Sequence, residues 1–184
     1  MQRLGIYGGT FDPIHQGHAH VITELIARKI VDTILVVPAG QPRLRANEPL
    51  ATPAQRRDMC ELACRELAPE IAAHVVVSPI ETLRPGPTFT IDTVEAVHQA
   101  YPDDEIVLVL GSDAYASIEK WHRIDELRDM VEFVVIDRPE FSGVSTLDID
   151  ALAVSATSIR SGGSDLVATS VAAYIKEHNL YARK

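Results

Sequence analysis

The chain has 184 residues, 46% hydrophobic and 23% charged, a balance that excludes extended disorder and fibrous repeats and predicts one domain with a sizeable core. Its formal charge of −9 repels a phosphate backbone over most of the surface, which excludes general nucleic-acid binding, so any polyphosphate site has to concentrate its arginines locally. No apolar run approaches the roughly 20 residues of a membrane span and the start lacks a signal peptide's long apolar segment, so a cytoplasmic protein without a membrane partner is expected.

In chain order, Leu4 to Tyr7 predicts a short buried strand that runs into Gly8-Gly9-Thr10, and His18 to Ile30 has the period of a helix. Thr33 to Val37 is a second β-branched run, followed by a polar loop, Pro38 to Leu50, that carries Arg43 and Arg45. Pro53 to Leu67 predicts a helix with Thr52 placed to cap it and proline at its first position; Cys60 and Cys64 on it read as small core residues. Val75 to Val77 is a third strand, Thr90 to Ala100 a helix and Glu105 to Leu110 a fourth strand. Asp113 to Met130 predicts one or two helical pieces, Glu132 to Ile136 a fifth strand, and Thr157 to Ser161 and Ala168 to Glu177 two closing helices packed on the domain. Strands separated by helices require a parallel sheet with crossover connections, so the expected class is α/β, a Rossmann-like doubly wound parallel sheet with ligands at the carboxyl ends of its strands.

The segment Gly8-Gly9-Thr10-Phe11-Asp12-Pro13-Ile14-His15-Gln16-Gly17-His18 follows the first strand and opens the first helix. Glycine pairs let backbone N–H groups approach an anion, and a helix start adds unpaired donors and a positive dipole. His15 and His18, three apart at that start, can project toward one anion. A glycine pair is often only a tight turn and a lone histidine is usually structural, but two histidines at the mouth of a glycine loop point to a site. A dinucleotide-binding G-x-G-x-x-G is absent, which argues against a hydride-transferring enzyme.

This segment resembles the first signature of the HxGH nucleotidyltransferase superfamily, and Ser155-Ala156-Thr157-Ser158-Ile159-Arg160 resembles its second. Between them Pro38 to Arg45 with Ala54 to Met59, Pro87 to Thr93, Leu110 to Asp113 with Trp121 and Phe133 to Pro139, and after them Val171 to Tyr181, are similar to the bacterial nicotinate mononucleotide adenylyltransferase family. Ala156 stands where that family has a serine, and Arg43-Leu44-Arg45 where many members have Pro-His-Lys or Pro-His-Arg.

The resemblance implies transfer of AMP from ATP to nicotinate mononucleotide, with His18 donating to the α-phosphate and His15 orienting the triphosphate. It implies ATP contacts from Gly8, Gly9, Thr10, Phe11, Gly111 and Asp113, and from Ser155, Thr157 and Arg160 on the β and γ phosphates. For the acceptor it implies Thr88 and Thr90 at the nicotinate carboxylate, Trp121 on the ring, and Arg45 with Arg138 at the phosphate. Arg56 belongs with Arg43 and Arg45 as arginines whose purpose beside a phosphate site is bidentate binding. Mg²⁺ is expected to be held mainly by ATP phosphates and water, with Asp12 and Asp113 in polar or loop-shaping roles. Nicotinamide mononucleotide and pantetheine phosphate stay open as acceptors, a catalytically silent nucleotide-binding module is the alternative of another class, and a homo-oligomer is compatible with the sequence.

Overall fold

The computed structural model of the chain describes residues 1–42, 48–139, 141 and 143–182. Five strands form one sheet, β1 (Arg3–Gly9), β2 (Thr33–Pro38), β3 (Val75–Val77), β4 (Glu105–Gly111) and β5 (Glu132–Ile136). All neighbours are parallel and the order is β3-β2-β1-β4-β5, which is the doubly wound arrangement expected. The direction of winding reverses between β1 and β4, so their carboxyl ends diverge into a crevice, where open α/β sheets bind ligands. Gly8 and Gly9 close β1 at that edge and Gly111 closes β4.

A parallel sheet has to be covered on both faces, and the strands read accordingly as nearly continuous apolar runs. On one face Tyr7, Ile34, Val36, Val107 and Val109 pack beneath α1 (Gln16–Ala27), α2 (Pro53–Arg65) and α8 (Thr169–Glu177). On the other, Leu4, Ile6, Leu35, Leu108 and Leu110 pack beneath α4 (Thr90–Ala100) and α6 (Ile124–Met130). Cys60 and Cys64 are both free and buried on α2, and burial pushes the Cys64 thiol up to about 12, so they behave as the small core residues expected.

Several boundaries differ from the sequence expectation for local reasons. Helix α1 starts at Gln16, before His18, because His15 is its N-cap. It ends before Ile30 because Lys29 takes a left-handed φ of 55° and the Ile30 N–H returns to the Leu25 carbonyl at 2.9 Å. The expected helical stretch from Asp113 to Met130 is three pieces: α5 (Ser112–Tyr115), a 3₁₀ turn (Ile118–Lys120) and α6. One break falls at Ala116 and Ser117; the other runs from Trp121, whose backbone is extended, to Arg123, whose φ is 54°. The four-residue helix α3 (Pro69–Ala72) was not expected, and α7 is Ala156–Arg160.

Arg56 corrects the sequence reading most clearly. It is 0% exposed, so it is neither a solvated charge nor a phosphate ligand. Its Nη1 donates to the Thr10 carbonyl at 2.7 Å, Nη2 to Gly40 at 3.0 Å and Nε to Ala51 at 3.3 Å. One planar fork thereby joins the loop after β1, the loop after β2 and the residue before the α2 cap. Gly40 has to be glycine there, since a Cβ would stand 2.3 Å from the Glu81 carbonyl oxygen. Arg56→Lys keeps the charge but presents one point of donation where three nitrogens now reach three carbonyls, so urea unfolding should show a loss of about 1–3 kcal/mol. A variant as stable as the parent would mean that the fork does not hold this junction.

Candidate active site

The crevice at the carboxyl ends of β1 and β4 is a cavity of about 630 Å³. Gly8, Gly9, Thr10 and Phe11 line one side, His15, Gly17 and His18 the start of α1, and Gly111, Asp113, Trp121 and Arg138 the side of β4 and β5. Ser155, Ala156 and Thr157 complete the wall. The two signature segments, far apart in the chain, therefore meet across one space.

The two imidazoles are stacked, with ring centroids 3.7 Å apart and planes inclined by 25°. The backbone N–H of His15 donates to His18 Nδ1 at 3.1 Å. A neutral His18 ring with Nδ1 accepting carries its proton on Nε2, so the capping contact fixes the tautomer that makes Nε2 a donor. Phe11 meets the His18 ring edge-on at 4.9 Å and limits its rotation. The stack also explains the glycine between the histidines, since a Cβ on Gly17 would stand 2.8 Å from Val154 Cγ1 and 3.1 Å from the His15 ring.

His15 is only 4% exposed, and its Nδ1 is buried without a hydrogen-bond partner among the described residues. Burial, with a smaller contribution from the Arg138 cation, lowers its pKa to about 4, so the ring is neutral at pH 7. Arg138 Nε donates to Asp113 Oδ1 at 3.4 Å, which sets one cation and one carboxylate side by side at the rim.

The remaining expected residues divide. Arg160 does not line the cavity: its Nη1 donates to the Asp12 carbonyl at 2.7 Å and Nη2 to Thr157 Oγ1 at 3.1 Å. Its guanidinium is thus held between the loop after β1 and the start of α7. Thr88 and Thr90 also stand off the wall. Thr88 Oγ1 is buried near Gly40 without a partner among the described residues, and Thr90 begins α4. Arg45 lies outside the described residues, as do Arg43 and Leu44. Asp12 shapes the loop: it is 3% exposed and accepts from the Leu50 and Ala51 N–H groups at 2.9 and 3.1 Å.

Sequence reasoning missed the stretch from Ala151 to Val154, which lines the cavity ahead of the second signature. Its small apolar residues carry no chemical signal until the fold places them. Among the described residues no group of three or more His, Cys, Asp or Glu side chains could hold a metal ion, and no helix is long and apolar enough to cross a membrane.

The family model described as cytidylyltransferase-like matches residues 6–162. A "Probable nicotinate-nucleotide adenylyltransferase" from Bacillus pumilus is 35% identical over 192 residues, covering 98% of this chain and 99% of its own. A protein of the same description from Corynebacterium kroppenstedtii is 34% identical over 196 residues, covering 97% and 90%. Among solved structures, Plasmodium falciparum nicotinic acid mononucleotide adenylyltransferase complexed with NaAD superposes with a TM-score of 0.82 over 98% of both chains, at 21% identity, and so shares the fold.

The depressed His15 pKa has a consequence for stability. Between the ordinary value of 6.5 and about 4 the unfolded chain binds a proton that the folded chain does not, so this contribution destabilises progressively as pH falls through that window and is absent above it. His15→Asn should shed this part of the acid loss. Urea unfolding at pH 7, 6 and 5 should show a shallower decline for the variant, and equal declines would place the titration elsewhere.

Proposed function

Since the chain belongs to the cytidylyltransferase-like family and, within it, to the nicotinate-nucleotide adenylyltransferases, we propose that it transfers AMP from ATP to nicotinate mononucleotide. The products are nicotinate adenine dinucleotide and pyrophosphate, a step of NAD biosynthesis. The observation that carries this reading is the meeting of His15 and His18 with Ser155 and Thr157 around one cavity at the winding reversal of the sheet.

An oxygen of the acceptor's 5′-phosphate forms a bond to the α-phosphorus of ATP as the bond to pyrophosphate breaks in line. The acceptor is already an anion, so no protein nucleophile or strong base is needed, and the residues contribute position and charge neutralisation. His18 donates through Nε2 to the α-phosphate oxygen as charge builds there. His15, neutral and stacked, orients that ring and through it the triphosphate. Amides near Gly9 and Thr10, with Gly8 and Phe11 beside them, border the phosphates, while Gly111 and Asp113 border the nucleotide from β4.

The hydroxyls of Ser155 and Thr157 hold the β and γ phosphates. Arg160 joins them by exchanging the Asp12 carbonyl for a phosphate oxygen. Trp121, whose Nε1 is buried without a partner among the described residues, stacks on the pyridine ring. In this reading Thr88 and Thr90 turn to the nicotinate carboxylate, and Arg138 with Arg45 meets the acceptor phosphate.

A divalent metal, Mg²⁺ in this proposal, would be held mainly by phosphate oxygens and water and would supply charge neutralisation for the pyrophosphate. The polar groups on the cavity wall, Ser155 and Thr157 with Asp113 at the rim, are oxygen donors of the kind a hard cation bound to its phosphates would meet.

Pyrophosphate release with Mg²⁺-ATP and a panel of acceptors tests the reading. Turnover of nicotinate mononucleotide should exceed that of nicotinamide mononucleotide and pantetheine phosphate, whereas ATP binding without any release would leave a silent nucleotide-binding module. In the same assay His18→Ala should lower kcat by about 10²–10³, the usual loss of one transition-state donor, while thermal unfolding stays cooperative and shows the variant folded at the assay temperature. Near-normal turnover in that variant would remove His18 from the reaction.

A further inference from the structure

The Asp12 carboxylate is surrounded by donors from three distant parts of the chain. Oδ1 accepts from the Ala51 N–H at 3.1 Å and from the Tyr181 hydroxyl at 2.7 Å. Oδ2 accepts from the Leu50 N–H at 2.9 Å and has Arg160 Nη1 at 3.9 Å. Asp12 follows Phe11 on the cavity wall and precedes His15, while Leu50 and Ala51 close the polar loop that leaves β2 and lead into the α2 cap at Thr52. Tyr181 lies beyond α8, in a segment where Asn179 and Tyr181 both take left-handed φ values, 50° and 60°. Non-glycine residues resist that region, so their conformation has to be held by contacts made further along, and the hydroxyl bond to Asp12 is such a contact.

We infer that Tyr181 is a positioning residue for the transfer reaction, acting through Asp12 to hold the histidine-bearing loop at fixed spacing from the loop that ends at Ala51. The inference rests on the adenylyl-transfer reading above, in which the first loop meets ATP and the second lies on the acceptor side. A buried carboxylate with its lone pairs filled fixes its partners in place. Burial, reinforced by the bond to Asp12, raises the Tyr181 phenol well above its ordinary range, so it stays a donor at every working pH. Removing the hydroxyl leaves Asp12 with two amides, and Arg160, whose Nη1 stands 3.9 Å from Oδ2, is a cation close enough to be drawn onto the freed carboxylate. That movement would draw Arg160 toward Asp12 and away from the phosphates it is proposed to hold.

Tyr181→Phe in the full chain removes the hydroxyl and keeps the ring. The expected result is a rise of about 3- to 10-fold in KM for both ATP and the acceptor, of the size one charge-assisted hydrogen bond can supply. Amide hydrogen exchange without substrate should accelerate together in residues 8–18 and 48–52. KM values within twofold of the parent, with exchange altered only around residues 176–182, would overturn the inference. In an Asp12→Asn background the same substitution should change neither KM by more than twofold further; fully additive effects would show that Tyr181 does not act through Asp12. The exchange measurement needs no turnover, so it decides the inference even if the parent protein released no pyrophosphate, an outcome that would sink the functional reading instead.

Discussion

The mouth of this sheet is held by a guanidinium that never meets water. Arg56 donates to carbonyls from the loops after β1 and β2 and from the residue before α2, and Asp12 accepts amides from the same stretch next to Ala51. A buried cation and a buried carboxylate are both costly unless their partners are well placed, so the backbone that satisfies them has little freedom to move. The glycine loop and the stacked histidines are built on that junction. Arg56 therefore works on the site from behind, by fixing where Thr10 and its neighbours present their amides.

A protein of net charge −9 that handles a triphosphate needs a local solution. The cavity wall carries little bare positive charge. His15 is kept neutral by burial, Arg138 is paired with Asp113, and Arg160 is engaged with the Asp12 backbone. The polar part of the lining includes the glycine loop, the hydroxyls of Thr10, Ser155 and Thr157, and an imidazole whose tautomer is set by a backbone contact, among apolar residues such as Val154 and Phe141. In the proposed reading, oriented donors bind an anion without first having to shed strong counter-ions, and they are already arranged for the charge that develops on transfer.

Much of the fold was legible because local rules and tertiary packing agree. The five strands lie where β-branched runs and turn residues put them, and Thr52 caps α2 by accepting from the Gln55 N–H at 3.2 Å. The misses have specific causes. Lysine at position 29 and arginine at position 123 occupy left-handed backbone that sequence reasoning reserves for glycine, so α1 ran too long and the region from Asp113 to Met130 was read as more continuous than it is. Helix α3 is too short to show a period.

The sequence by itself determined the α/β class, the glycine loop with its paired histidines and the second signature near the other end, because each is written in neighbouring residues. Only the tertiary structure decided what the arginines do. Arg56, Arg138 and Arg160 have the same chemistry on paper, yet Arg56 is sealed among carbonyls, Arg138 pairs with Asp113 at the rim, and Arg160 stands behind the loop. Residue type specifies a donor fork, but burial and the nearest acceptor specify its role, and both arise from segments brought together by crossover connections. The link from Tyr181 to Asp12 has the same origin: 169 residues separate its ends, and no local pattern could announce it.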